Sequence, residues 1–164
     1  VKGFSEPTSA WFEGTFREPT TAQARSWPHI AKGEHTLVCA PTGSGKTLAA
    51  FLSAIDRVAT SPVPEKKLRC RVLYISPLRA LAVDVEKNLR APIKGIRLAA
   101  ERLGLDINEP SVGMRTGDTP ANERRLLLRE PPDILITTPE SLYLMLTSQA
   151  AETLRSVETV IVDE

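Results

Sequence analysis

The 164 residues suffice for one domain with a buried core, and 41% apolar against 25% charged residues is ordinary for a globular chain. With 21 Lys and Arg against 20 Asp and Glu, the formal charge of +1 excludes a bulk positive field, so any nucleic-acid partner must be met by placed loops. Cys39, Cys70, His29 and His35 have no metal-site spacing, and no run approaches the ~20 apolar residues that span a bilayer. The cysteines read as small buried hydrophobes, and a reducing, cytoplasmic setting is the default.

Residues 1–19 read as an irregular segment carrying Phe4, Trp11, Phe12 and Phe16. Thr20 or Thr21 caps a helix toward Ile30, with Pro28 ending or kinking it and Lys32-Gly33 as its stop. A buried strand is expected at Thr36–Ala40, then a helix from Lys46 to about Thr60 and a loop over Ser61–Lys67. A second strand at Arg71–Ile75 precedes helical character from Arg79, interrupted at Pro92 and resumed to Leu103. Next come a strand at Ser111–Met114, a helix at Pro120–Leu128, a strand at Asp133–Thr137 and a helix opened by Thr138-Pro139-Glu140. The last strand is Thr159–Val162. Alternating apolar strands and helices predict a mainly parallel α/β sheet covered on both faces.

Between the expected strand and helix lies Ala40-Pro41-Thr42-Gly43-Ser44-Gly45-Lys46-Thr47. Glycines there let the backbone turn its N–H groups inward, and the helix N-terminus adds partial positive charge, the makings of a phosphate cradle. Lys46 reaches the β/γ-phosphates and the Thr47 hydroxyl holds Mg²⁺ in this pattern. The pattern begins with Gly where this chain has Ala40, so that position needs no positive φ. Val160-Ile161-Val162-Asp163-Glu164 has the form of a Walker B segment, an apolar strand ending in two acids. Asp163 then holds Mg²⁺ through water, and Glu164 orients and deprotonates an attacking water. A catalytic acid beside a free carboxylate is a poor arrangement, so the chain is expected to be part of a larger protein.

Taken in order, these segments resemble the first RecA-like domain of superfamily 2 (DExH/D-box) helicases. Phe16, Pro19-Thr20 and Gln23 look like the adenine-recognition motif, with Phe4 a rival to Phe16 for stacking on the base. Ala40–Thr47 is the helicase form of motif I, Pro77–Ala82 is similar to motif Ia, and Arg115-Thr116-Gly117-Asp118 to the Thr-Gly motif. Thr138-Pro139-Glu140-Ser141 resembles motif Ib, and Asp163-Glu164 opens the DExH/D box. The run Tyr74–Arg90 is most like the large helicase-related (Lhr) group.

The resemblance implies a RecA-like P-loop domain over residues 20–164, after the irregular segment 1–19, truncated at motif II. It implies ATP and Mg²⁺ as cofactors, held by Phe16, Gln23, Thr42, Gly43, Ser44, Gly45, Lys46, Thr47 and Asp163, with Lys46 and Glu164 catalytic. Single-stranded DNA or RNA is the implied partner, met by Arg79, Arg115, Thr116, Gly117, Thr138, Pro139 and Glu140, with a role in repair. A second RecA-like domain, absent here, supplies the remaining arginines, so the chain alone is expected to bind Mg–ATP without unwinding. Three alternatives stay open: an RNA helicase of the DEAD or Ski2 type, a P-loop kinase or transporter ATPase, and a non-catalytic module. Thr116 and Thr138 also read as simple helix caps, and Arg79 and Arg115 as solvated surface residues.

Overall fold

The structure, a computed structural model, describes residues 1–164. It comprises two compact units, Val1–Ser61 with Ala91–Glu109, and Pro62–Arg90 with Pro110–Glu164.

The first unit is helical: α1 (Glu6–Thr15), α2 (Thr21–Ala31), α3 (Lys46–Thr60) and the later part of α4 (Arg79–Leu103). Helix α3 buries Phe51, Leu52, Ile55 and Val58 along one stripe. The segment expected to be irregular forms α1. Ser5 caps it and binds the Asp56 carboxylate of α3 through its amide (3.2 Å) and its hydroxyl. Phe12 is buried edge-on to Trp27 at 5.5 Å, and Phe4 lies edge-on to Trp27 at 4.9 Å. The Trp27 indole N–H donates to the Ala49 carbonyl at 3.2 Å. Trp11 packs flush on α4 at Gly95, where an added Cβ would fall 2.1 Å from the indole nitrogen.

Two prolines are tolerated inside helices. Pro28 sits within α2, and α4 runs unbroken past Pro92 where an interruption was expected. Each proline forfeits one backbone hydrogen bond. In α4 the burial of Ile93, Ile96 and Ala100 just after Pro92 offsets that loss.

The expected strand Thr36–Ala40 has no regular secondary structure and pairs with no strand, and Leu37 is 89% exposed. Cys39, expected to be buried there, is exposed, whereas Cys70 is buried as expected. An apolar run supplies the residues of a strand but not the neighbour that makes it one.

The second unit holds a four-stranded sheet in the order β2 (Val112–Arg115), β3 (Ile134–Thr137), β1 (Val72–Ile75), β4 (Thr159–Val162). All three pairings are parallel, with Tyr74 level with Ile136 on one side and Ile161 on the other. β1 and β3 are buried, as their continuous apolar runs require. Beneath them Cys70, Leu73, Leu135, Met145 and Ala150 form a core cluster closed by α6 (Pro139–Leu146) and the 3₁₀ stretch Gln149–Ser156. On edge strand β4, Val160 and Val162 are 54% and 70% exposed, on the face they share with Leu73 and Ile75 of β1. Buried Asp133 anchors the start of β3, accepting from the Ser111 amide and hydroxyl at 2.8 Å and facing Arg69 and Arg71. Helix α5 (Ala121–Arg129) completes the unit. No helix is long and apolar enough to cross a membrane.

Candidate functional site

In the first unit the motif at residues 40–47 forms a turn feeding α3. Gly43 (φ 80°) and Gly45 (φ 78°, ψ 22°) are left-handed, a conformation that L side chains rarely adopt. Ala40 is not, as its methyl group requires. The Ser44 amide closes the turn on the Pro41 carbonyl at 3.3 Å, and Thr42, Gly43 and Thr47 are exposed.

The first intrahelical bond of α3 runs from the Ala49 amide to the Gly45 carbonyl at 2.9 Å. The amides of Lys46, Thr47 and Leu48 therefore have no partner within the helix, and no side chain caps it at Gly45. The Ser44 hydroxyl is also buried without a hydrogen-bond partner. The Lys46 ammonium folds back on its own loop, donating to the Pro41 carbonyl at 3.1 Å and to the Ala40 carbonyl. Orphan donors, an uncapped helix start and a lysine resting on carbonyls make a site that accepts an anion.

Gln23 lies directly against this turn. Its carboxamide donates to the Gly45 carbonyl at 3.2 Å and accepts from the Thr20 amide at 3.0 Å, while the Thr20 hydroxyl caps the Gln23 amide. This capping box ties the start of α2 to the phosphate-loop turn. One amide hydrogen and one carbonyl lone pair of Gln23 stay outside these bonds. A groove of about 750 Å³ lies beside it, lined by Thr20, Arg25, His29, Leu37, Ala40 and Ser44. Phe16 ends α1, 41% exposed and tilted on Phe12 at 4.9 Å, while Phe4 is half-buried on Trp27.

In the second unit all strands run parallel, so the loops that follow them leave from one edge, where ligands of such sheets bind. Across that edge stand Thr116-Gly117-Asp118 after β2, Thr138-Pro139-Glu140 after β3, Arg79 after β1 and Asp163-Glu164 after β4. Thr116 is buried in a turn whose amide donates to the Thr119 hydroxyl at 2.9 Å, and Gly117 is exposed. Thr138 caps α6, accepting from the Ser141 amide, with Pro139 and Glu140 exposed at the first turn. Capping is thus one role Thr138 does fill.

Arg79, the first residue of α4, is exposed and pairs with Asp118 at 2.6 Å. Because β3 lies between β1 and β2, this ion pair arches across the end of β3. Arg115 is half-buried at the end of β2, and burial, then the nearby Arg124 charge, lower its pKa. Arg124 itself donates to the Gly117 carbonyl at 2.8 Å.

The Asp163 amide continues the ladder, donating to the Ile75 carbonyl at 3.0 Å. Its carboxylate Oδ2 accepts the hydroxyl of buried Tyr74 at 2.5 Å. Burial first, then the Asp163 and Glu164 carboxylates, push the Tyr74 phenol far above its usual range. Glu164 is exposed with a left-handed φ of 59°. The Lhr-like run begins at Tyr74, but no motif pointed to its bond with Asp163 or to the pairing role of Asp118. The signal for Tyr74 lay in strand register, which a single sequence does not contain.

A glycine-turned phosphate loop at a helix start, and a parallel sheet with polar loops and two acids at one edge, define a RecA-like P-loop domain. A family model described as DEAD/DEAH box helicase matches residues 20–164, and the chain belongs to that family. It is 62% identical over 161 residues to an "Lhr helicase/ probable uracil glycosylase" of Mycolicibacterium smegmatis, covering 98% of this chain and 11% of that protein. It is 56% identical over 166 residues to the "Lhr helicase/uracil glycosylase" of Escherichia coli, again covering 98% and 11%. The solved structure of Mycobacterium smegmatis helicase Lhr, bound to ssDNA and AMP-PNP, superposes with a TM-score of 0.93 at 60% identity over 99% of this chain and 20% of that one. The chain thus spans about a tenth of the length of these curated relatives.

Proposed function

We propose that this chain is the ATP-binding motor domain of an ATP-dependent nucleic-acid helicase that acts on DNA or RNA–DNA hybrids in repair. The observation that carries the reading is the start of α3: three free amides, an orphan Ser44 hydroxyl and Lys46 parked on loop carbonyls. Phosphate oxygens satisfy all of them at once, and Lys46 exchanges its carbonyl partners for the terminal phosphates. Thr42, Gly43, Ser44 and Gly45 shape the cradle, Gln23 reads the adenine edge with its free hydrogen and lone pair, and Phe16 stacks on the base.

The hydroxyl of Thr47 and the carboxylate of Asp163 are hard oxygen donors suited to Mg²⁺, which when bound neutralises phosphate charge. Glu164 orients and deprotonates the attacking water. Arg79, Arg115, Thr116, Gly117, Thr138, Pro139 and Glu140 hold one strand by its backbone, a sequence-blind contact that suits a motor. The ssDNA and AMP-PNP held by the Mycobacterium smegmatis relative support both halves of this reading.

A second RecA-like domain supplies the arginines that stabilise the transition state, and their loss costs ~10³–10⁵ in rate, so this domain alone binds Mg–ATP with little turnover. The test is ATPase of the full-length protein with and without single-stranded DNA or RNA, beside Lys46→Ala. Strand-stimulated turnover abolished by the lysine change supports the proposal, and the better stimulator identifies the track. Lysine-dependent turnover indifferent to both strands would replace it with a kinase or transporter-type ATPase.

A further inference from the structure

We infer that Tyr74 is a positioning residue for the metal-binding acid: its hydroxyl fixes the Asp163 carboxylate in one orientation, leaving the other oxygen for the Mg²⁺ shell. The inference rests on the proposed role of Asp163 as the acid of a Mg–ATP site.

Tyr74 is level with Ile161, so both project from the same face of the sheet. Two residues on, Asp163 returns to that face. Tyr74 and Asp163 are thus diagonal neighbours on adjacent strands, a separation of ~7–8 Å between backbones that only a long side chain bridges. A valine or isoleucine, the usual filling of a buried parallel strand, falls short. A phenylalanine fills the space without reaching the oxygen. The hydroxyl donates to Oδ2 at 2.5 Å, and the phenol ring is 3% exposed, so it does not swing away into water.

The backbone completes the clamp. The Asp163 amide is held by the Ile75 carbonyl at 3.0 Å, one residue beyond Tyr74 on the same strand. Main chain and carboxylate of Asp163 are therefore both set by β1. With Oδ2 engaged, the Oδ1 lone pairs are the ones presented to a ligand. A partner that orients a ligating or near-ligating carboxylate raises metal affinity even though it never touches the metal.

The experiment uses the full-length protein and a fluorescent ATP analogue, with binding titrated against Mg²⁺. Tyr74→Phe keeps the ring and the packing and removes only the oxygen. The expected result is a roughly tenfold higher Mg²⁺ concentration for half-maximal nucleotide binding. Binding without metal, which depends on the α3 start, stays unchanged. Asp163→Asn alone should raise the Mg²⁺ requirement at least as much, and Tyr74→Phe should add little to it. If Asp163→Asn shifts the Mg²⁺ requirement and Tyr74→Phe does not, the hydroxyl has no positioning role and the inference fails. If neither Asp163→Asn nor Lys46→Ala affects nucleotide binding, the nucleotide-site reading itself fails. A Tyr74→Phe change that weakens metal-free and metal-dependent binding equally, with a lowered melting temperature, marks a structural role only and overturns the inference.

Discussion

Gly43 and Gly45 share one backbone conformation and differ in what surrounds them, so replacing each by alanine separates strain from contact. Both have φ near 80°. A Cβ at Gly43 meets nothing within 4 Å, whereas one at Gly45 falls 2.5 Å from Gln23 Nε2, 3.3 Å from Gln23 Cδ and 3.4 Å from Thr20 Cγ2. Gly43→Ala therefore carries only the left-handed penalty, about 1–2 kcal/mol. Gly45→Ala carries that penalty and also displaces the Gln23 carboxamide. The end of that side chain is flexible, so it swings aside, but doing so breaks its bonds to the Gly45 carbonyl and the Thr20 amide. Two such bonds at about 0.5–1.5 kcal/mol each bring the total to about 2–5 kcal/mol. Hydrogen exchange of peptides covering α2 and α3 in the full-length protein reads this local cost. The expected result is faster exchange in Gly45→Ala than in Gly43→Ala, extending to the start of α2 only in the former. In a Gln23→Ala background the clash is gone, so Gly45→Ala should there cost no more than Gly43→Ala, a non-additivity of about 1–3 kcal/mol. Equal effects of the two single changes, or strict additivity with Gln23→Ala, would refute the reasoning.

Two further outcomes follow from side chains already placed. Arg79→Ala should weaken single-strand binding by the full-length protein and reduce the salt dependence by about one phosphate contact, while Asp118→Asn, which frees Arg79 from an exposed pair, should tighten binding by about twofold to fivefold. Weaker binding by Asp118→Asn would instead make the carboxylate a support for the arginine. Burial, then the Asp133 charge, push the Cys70 thiol from 9.0 up to about 12. The folded value lies above the unfolded one, so the thiol costs no stability below pH 9. Stability then falls by about 1.4 kcal/mol per pH unit as pH rises toward 12. Peptide-mapped alkylation at pH 10 should label exposed Cys39 and spare Cys70 until urea unfolds the chain, and rapid native labelling of Cys70 would contradict its burial.

What could be read from residues alone was what local chemistry decides. The glycines before Lys46, the cap at Thr20, one of the two threonines read for it, and the Thr138-Pro139 helix start each act within a few residues, and each is where the pattern puts it. The loops after β1, β2 and β3 needed one more rule, that parallel strands deliver their C-terminal ends to a common edge. Helix α1 was legible in principle, because Ser5, Glu6 and Pro7 form a proper helix start. Its aromatic face gained meaning only from Trp27 on another helix. The readings that failed are those that hang on a partner elsewhere. Thr36–Ala40 has the composition of a strand but no ladder, and Pro92 has the chemistry of a break but buried residues just after it.

The contact between Tyr74 and Asp163 spans 89 positions of chain and depends on register alone. A one-residue slip of β4 would turn Asp163 to the opposite face and leave the Tyr74 hydroxyl without that acceptor. A tyrosine in place of the usual aliphatic residue therefore does two things at once. It places a carboxylate, and it penalises the wrong pairing of the strand that carries it.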